Sequence, residues 1–452
     1  MAKNIASISG FPEWLPAERL VELQVLDTLR ETFELHGFSS LETRAVEPVS
    51  QLLRKGETSK EIYLLSRLQD SNLDIDRQMS KGKRLGLHFD LTVPFARFVN
   101  ENAGHLVFPF KRYQIQKVWR GERPQDGRFR EFIQADIDVV GQGELAFHHE
   151  VELALVMGEA LSKLGLPAVT IRVNNRKIVQ GICEGAGIEQ VEDALRCLDK
   201  LDKIGADQVR EELESVGIRA EQADVLLKMA QISGSKSESI VSAVTALGYQ
   251  SELLDEGLAE LRAMLEEGER RAPGLLVADL KIARGLDYYT GTVYESFIEG
   301  HEDLGSICSG GRYDNLIGDG KKKYPGVGLS IGVSRVLSRI MAANLLVPSR
   351  PVPTVVYVAV NDEEHRGESN AIAAALRARG ISTDVADKAA KFGKQIKAAD
   401  RRGIPFVWFP GDVDEVKDIR SGEQVVADCH TWEPPQQDLK VQVLAPPLDV
   451  EG

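Results

Sequence analysis

At 452 residues, with 43% hydrophobic and 27% charged side chains, the chain is globular in composition and too long for one ordinary core, so two to four domains are expected. Its start, MAKNIASISGFPEW, has no apolar stretch of signal-peptide type, and no run approaches ~18 apolar residues, so secretion and membrane spanning are not expected and a cytoplasmic location is. A net charge of −14 excludes a general polyanion binder but not a local basic surface, and Cys183, Cys197, Cys308 and Cys429, without C-x-x-C spacing, read as reduced thiols rather than a zinc site.

In chain order, Leu20, Leu23, Leu26, Leu29 and Phe33 recur at roughly helical spacing, and Gly37 stands where a helix would stop. A short strand ending at Pro48 should follow. In LHFDLTVPFAR (87–97), Asp90 and Thr92 are two residues apart. On a strand they face one side, and an acid with a hydroxyl suits an ammonium group, which has three donors and no acceptor. Residues 113–141 then read as two strands joined by a charged loop. Gln114, Gln116, Val118 and Arg120 share one side of the first strand; Phe132, Gln134, Asp136 and Asp138 share one side of the second. Such a hairpin offers an apolar back and a polar floor. The loop arginines match phosphate oxygens in geometry and charge, although a solvated sheet face with a charged turn has the same letters.

A helix over 147–164 and a strand over 168–173 precede a change of character. From 176 to 270, leucines and isoleucines recur at helical spacing among many acids, which predicts a helical insertion with no convergent catalytic group. The stretches RGLDYYTG (284–291), SGGRYDNL (309–316) and GVGLSIGVSR (326–335) follow. The last lacks dinucleotide-fingerprint spacing, and no G-x-x-x-x-G-K-[ST] loop occurs. VPSRPVP (347–353) reads as a linker because its prolines resist helix and central strand. Beyond it, alternating strands and helices predict a parallel-sheet domain, whose second helix carries Lys388, Lys391, Lys394, Lys397, Arg401 and Arg402. Read alone, that run is a solvated face.

WRGERPQDGRFREFIQADIDVVG (119–141) resembles the second signature motif of class II aminoacyl-tRNA synthetases. The long helix, strand and Pro48 resemble the first, which in that class forms the dimer interface, and 326–335 resembles the third. LHFDLTVP resembles the L-R-x-D-L-T-V-P segment of histidyl-tRNA synthetases, with His88 where an arginine is usual, and 284–291 and 309–316 resemble that family's two signatures.

The resemblance implies an α+β fold: a class II antiparallel-sheet catalytic core with a helical insertion, plus a C-terminal α/β anticodon-binding-like domain. The core would occupy 1–175 and 271–346, the insertion 176–270, the linker 347–353 and the last domain 354–452. The implied activity is activation of L-histidine with ATP to histidyl-adenylate, followed by transfer to tRNA(His), in a homodimer. Arg120 would contact the α-phosphate and the substrate carboxylate, with Arg284 on the other side. Arg128 and Arg335 would hold the γ-phosphate end, Glu122 the adenine amino group, and Phe132 would stack on the base. Mg2+ would bridge the β- and γ-phosphates, with no protein ligand assigned. Asp90, Thr92 and Gln134 would take the α-amino group, Asp138 and Tyr289 the imidazole nitrogens, with Tyr288 lining the pocket. Lys388, Lys391, Lys394, Lys397 and Arg401 would face tRNA. Two other readings are a catalytically silent paralogue regulating histidine biosynthesis, which would lack both Arg284 and the C-terminal domain, and an uncharged-tRNA sensor, which would need a fused kinase domain.

Overall fold

The computed structural model describes residues 7–53, 61–69, 84–125, 127–282, 289–318 and 322–445. They form two compact units, residues 1–12 with 26–339, and residues 13–25 with 340–452.

The first unit is built on β1 (Ser39–Ser40), β2 (Val46–Pro48), β3 (Leu64–Leu65), β4 (Leu85–Leu87), β5 (Phe110–Trp119) and β6 (Glu131–Val140). Then come β7 (Val169–Asn175), β8 (Ser233–Gly234), β9 (Leu276–Asp279), β10 (Thr292–Ile298), β11 (Cys308–Tyr313) and β12 (Gly326–Gly332). Nine of these make one sheet in the order β1-β5-β6-β12-β11-β10-β7-β9-β8, and β2-β4-β3 make a small second sheet. Within the large sheet only β1 with β5 and β7 with β9 are parallel pairs. The alternation read in the sequence becomes a two-faced sheet: Tyr113, Ile137, Leu329, Tyr294 and Val173 fall on one buried row, and helix His148–Ser162 packs over that side.

Between β7 and β9 the chain makes helices from Arg176–Gly185 to Glu252–Arg271. Asn175 and Ser251 start those two by accepting from the backbone N–H groups of Lys177 and Leu254 at 3.0 and 3.1 Å. The two helices approach closely because Gly181 and Gly257 carry no side chain: a Cβ on Gly181 would lie 2.4 Å from the Leu254 nitrogen.

One sequence expectation fails here. Asp90 and Thr92 do not lie on a strand: Thr92–Asn102 is a helix, and the Asp90 carboxylate accepts from the Val93 N–H at 3.1 Å at its start. Pro94 misleads in the sequence but is harmless in the first turn, where a backbone N–H has no helical acceptor to lose.

The second unit holds β13 (Val347–Pro348), β14 (Val356–Val358), β15 (Thr383–Val385), β16 (Phe406–Phe409), β17 (Glu415–Asp418), β18 (Gln424–Val426) and β19 (Val443–Leu444). β15, β14 and β16 are parallel, as the strand–helix alternation predicts, and β17 and β18 extend the sheet antiparallel. The proline-rich 347–353 is not a free spacer. Val347–Pro348 pairs with Val443–Leu444, and buried Arg350 donates to the carbonyls of Val352 and Pro353 at 3.1 and 3.2 Å.

Candidate active site

The sheet register fixes what shares the polar face. Arg112 lies opposite Asp138, Gln114 opposite Asp136 and Gln116 opposite Gln134 across β5 and β6. On the other side of β6, Gly328 faces Asp138, Ser330 faces Asp136 and Gly332 faces Gln134. Acids and amides on β6 are thus flanked by amides and a cation on one side and by glycine and serine on the other.

Asp138 is held at both oxygens. Arg112 Nη2 lies 2.7 Å from its Oδ2, and the Tyr313 hydroxyl donates to its Oδ1 at 2.6 Å. Arg112 is fully buried, its guanidinium 4.2 Å from the centre of the Phe95 ring, and it also donates to Gln114 Oε1 at 3.2 Å. The Gln114 amide passes the network on, donating to Thr43 Oγ1 at 3.0 Å and to Gln116 Oε1 at 2.7 Å. The glycines of the two downstream signatures make room for this arrangement. A Cβ on Gly328 would fall 2.0 Å from Asp138 Oδ1, and one on Gly311, directly across from Gly328, would fall 3.0 Å from the Tyr289 ring. Asp138 and Tyr289 therefore flank the same pair of glycines.

Asp136, next along β6, is 3% exposed, and burial pushes its carboxyl up to about 7 against the pull of Arg112, with Asp138 and Asp90 adding to the rise. Gln134 donates to Ser330 Oγ at 2.8 Å. His88, at the position where an arginine is usual, is buried and stacked on Trp119, with Nε2 2.7 Å from the Lys117 carbonyl oxygen, and burial lowers its pKa.

At the open end of the hairpin, Arg120 donates to the Phe89 carbonyl at 3.0 Å, lies 5.1 Å from the Phe132 ring centre and is 3.9 Å from Glu122. The loop folds back through paired backbone hydrogen bonds between Gln125 and Arg128, which leaves the Arg128 side chain exposed. Arg335, two residues into helix Val333–Ala342, donates to the Gly127 carbonyl at 3.1 Å and to the Ser306 carbonyl at 2.6 Å. Arg335 and Arg128 are thereby brought to one loop. Tyr289 is half-buried beside Gly311. Arg284 and Tyr288 lie outside the described residues.

Arg112, Tyr313, Gln114, Gln116 and Thr43 belong to the floor without having been assigned a role from the sequence. The alternation did carry a signal for Arg112, which stands two residues before Gln114 on the same face. Nothing in the letters shows that Tyr313 reaches Asp138 across the intervening strand β12. Arg312 of the same signature turns away, pairing with buried Glu150 at 2.7 Å and with Asp314 at 3.0 Å, and so ties β11 to helix His148–Ser162.

In the second unit, helix Phe392–Arg401 begins after Lys391, and Lys388, Lys391, Lys394, Lys397 and Arg401 are all exposed. Buried Gln395 clamps its other face, accepting from the Val360 N–H at 3.0 Å and donating to the Val360 and Ala390 carbonyls. Arg402 instead pairs with Asp384 at 2.6 Å. No helix among the described residues is long and apolar enough to cross a membrane.

Comparison with known proteins places the chain by family and fold. Residues 10–336 match the family model for histidyl-tRNA synthetase, and residues 354–429 match that for the anticodon binding domain. A histidine–tRNA ligase of Micrococcus luteus is 59% identical over 450 residues, covering 97% of this chain and 98% of its own. The crystal structure of histidyl-tRNA synthetase from a Nostoc species superposes with a TM-score of 0.81 at 36% identity, covering 94% of this chain and 97% of that one. A Bacillus halodurans structure described as an ATP phosphoribosyltransferase regulatory subunit/histidyl-tRNA synthetase reaches a TM-score of 0.69 at 22% identity over 85% of this chain and 93% of that one, a likeness of fold alone. Matched through most of its length by the family model, and nearly end to end by a relative sharing more than half its residues, this chain belongs to the histidyl-tRNA synthetase family.

Proposed function

We propose that the polar face of β5 and β6 is the floor on which L-histidine and ATP meet, and that the chain makes histidyl-adenylate there before passing the histidyl group to tRNA(His). The observation that carries the reading is Asp138: a carboxylate 2% exposed, aligned by Arg112 and Tyr313 and facing two glycines that leave space beside Tyr289. Asp138 and Tyr289 would meet the two ring nitrogens, Tyr288 would line the pocket, and Asp90, Thr92 and Gln134 would take the α-amino group. A site whose buried groups need both nitrogens rejects isosteres by factors of ~10⁴ or more.

The chemistry is in-line attack of a carboxylate on the α-phosphate, two anions that repel, so positioning and charge neutralisation carry most of it. Arg120 and Arg284 would neutralise the α-phosphate and carboxylate from opposite sides. Arg128 on the hairpin loop and Arg335, which donates to that loop's Gly127 carbonyl, would take the γ-phosphate of ATP delivered with Mg2+. Phe132 would stack on adenine, and Glu122 would accept from its amino group. The exposed lysines of 388–397, with Arg401, would hold tRNA in an otherwise acidic chain. A catalytic core at 1–175 and 271–346, an insertion at 176–270 and an anticodon-binding domain at 354–452 make up the proposed division of labour. A homodimer in the cytoplasm completes the reading; the exposed leucines 53, 64, 68 and 85 near the small β2-β4-β3 sheet support an apolar contact with a second copy.

ATP–pyrophosphate exchange with each of the twenty amino acids tests the function. Exchange should depend on histidine alone; exchange with another amino acid, or with none, would overturn the reading.

A further inference from the structure

The floor leaves two neighbouring acceptors without donors, although Ser330 bonds the Asp136 carboxylate and Arg112 Nε is itself buried without a partner. Asp136 lies between Gln134 and Asp138 on β6; its Oδ2 is 3.8 Å from Arg112 Nη2, while its Oδ1 is buried without a hydrogen-bond partner. One rung along the same face, Gln134 Oε1 is also buried and unpartnered, its Nε2 being taken by Ser330. Buried acceptors without donors are rare in folded chains, and two on adjacent rungs mark a place built for a donor that the chain does not supply. The charge balance points the same way. Asp90 and Asp138 both act on Asp136, while fully buried Arg112 lies against Asp136 and Asp138 together. Three carboxyl groups thus share one guanidinium in a place screened from water.

We propose that Asp136 is a specificity-determining residue that accepts, with Gln134, hydrogen bonds from the α-ammonium of the amino-acid substrate. This rests on reading the floor as the histidine site, and adds to it a residue between the ring-binding and amine-binding ends. A neutral imidazole has one donor, and Asp138 meets it. An ammonium has three donors, no acceptor and a positive charge; Gln134 and Asp136 would take two of the donors and leave the third to the Asp90–Thr92 end.

The test uses the full chain and two competitive inhibitors of histidine-dependent pyrophosphate exchange: histidinol, which keeps the amine, and 4-(3-hydroxypropyl)imidazole, which lacks it. Asp136→Asn keeps the shape and removes the charge. It should weaken histidinol by ~10-fold or more, the scale of a lost charge-assisted hydrogen bond, and leave the des-amino inhibitor and the KM for ATP unchanged. Histidinol inhibition changed by less than about twofold, or equal weakening of both inhibitors, overturns the proposal, because a charged bond of this kind is worth more and is selective for the amine. If Asp136→Asn does not fold, Asp136→Ser carries the same test, with amine-selective loss supporting the proposal and its absence overturning it. Asp138→Asn separates the two levels of the argument: it should weaken both inhibitors alike. If it weakens neither, the floor is not the ring site and the underlying reading falls, whatever Asp136→Asn does.

Discussion

At the scale of single residues, Asp138 and Arg112 have to be considered together. Breaking a buried ion pair by removing one partner costs ~3–5 kcal/mol, because the other charge is left uncompensated. Asp138→Ala should therefore lower the melting temperature as well as histidine affinity, whereas Asp138→Asn should raise the histidine KM sharply, or lower kcat, with ATP affinity nearly unchanged and much less loss of stability. Steady-state exchange kinetics with both substrates, beside thermal unfolding, checks this; equal loss toward histidine and ATP would mean general damage to the floor. Asp136 gives a pH prediction. Its folded-state pKa is raised to about 7 by burial, above its value of 3.8 in the open chain. The folded state thus holds the proton more tightly, so this contribution is complete below pH 4 and is lost as the pH rises through 7. Asp136→Asn should remove the loss, so the melting temperature of the variant relative to the native chain should climb between pH 4 and pH 8. A difference that is constant with pH counts against a buried, partly protonated acid. Arg284 belongs at this scale by its role: Arg284→Ala should cut pyrophosphate exchange by ~10²-fold or more with a smaller effect on histidine binding, as expected for one preorganised transition-state donor. Exchange within about threefold of the native rate would remove Arg284 from the machinery.

At the scale of elements, the glycines of β11 and β12 are spacers for side chains on neighbouring strands. Gly328→Ala would put a methyl group against the Asp138 carboxylate, and overpacking of this kind costs ~1–3 kcal/mol. Histidine binding should fall further than ATP binding in this variant, since Asp138 is the group displaced. Isothermal titration with each ligand decides it, and an equal loss for both would show the strand itself to be distorted. The hairpin was legible because a period of two, broken only near the loop at Lys117, Val118 and Phe132, runs through both arms. Helix Thr92–Asn102 was not legible: Asp90, Thr92 and Pro94 are ordinary strand-end letters, and only the Val93 N–H bond to Asp90 makes them a helix start. β17 and β18 were missed for a related reason. Glu415–Asp418 and Gln424–Val426 are short, largely polar or exposed strands, and pairing, of β17 with β16 and of β18 with β17, rather than local propensity makes them strands.

At the scale of the whole molecule, the proposed tRNA-binding role of the basic helix makes the two halves of the reaction separable by mutation. Neutralising Lys391, Lys394 and Lys397 together should leave pyrophosphate exchange intact while weakening tRNA binding and flattening its salt dependence, since fewer counterions are released. Binding of tRNA(His) measured from low to moderate salt checks this, and an unchanged slope would make the helix a solvated face. Removal of the C-terminal part is less innocent than the proline-rich segment suggests. Residues 13–25 cluster with 340–452, and Val21 and Val25 are buried. A chain ending at Arg350 should therefore melt below the native chain, which differential scanning calorimetry would record.

What the amino-acid order determined by itself was the class of fold, the hairpin with its polar floor, and the short stretches that single out one family. Those features depend on local alternation, on turn residues and on motifs whose spacing survives being read as letters. Tertiary structure alone decided which groups touch. The Tyr313–Asp138 hydrogen bond of the Arg112–Asp138–Tyr313 cluster joins residues 175 positions apart in sequence; the members meet because β11, β12, β6 and β5 lie side by side. The empty acceptors on Asp136 and Gln134 are likewise invisible in the letters, because whether a buried oxygen has a partner depends on strands that pair across the sheet rather than along the chain.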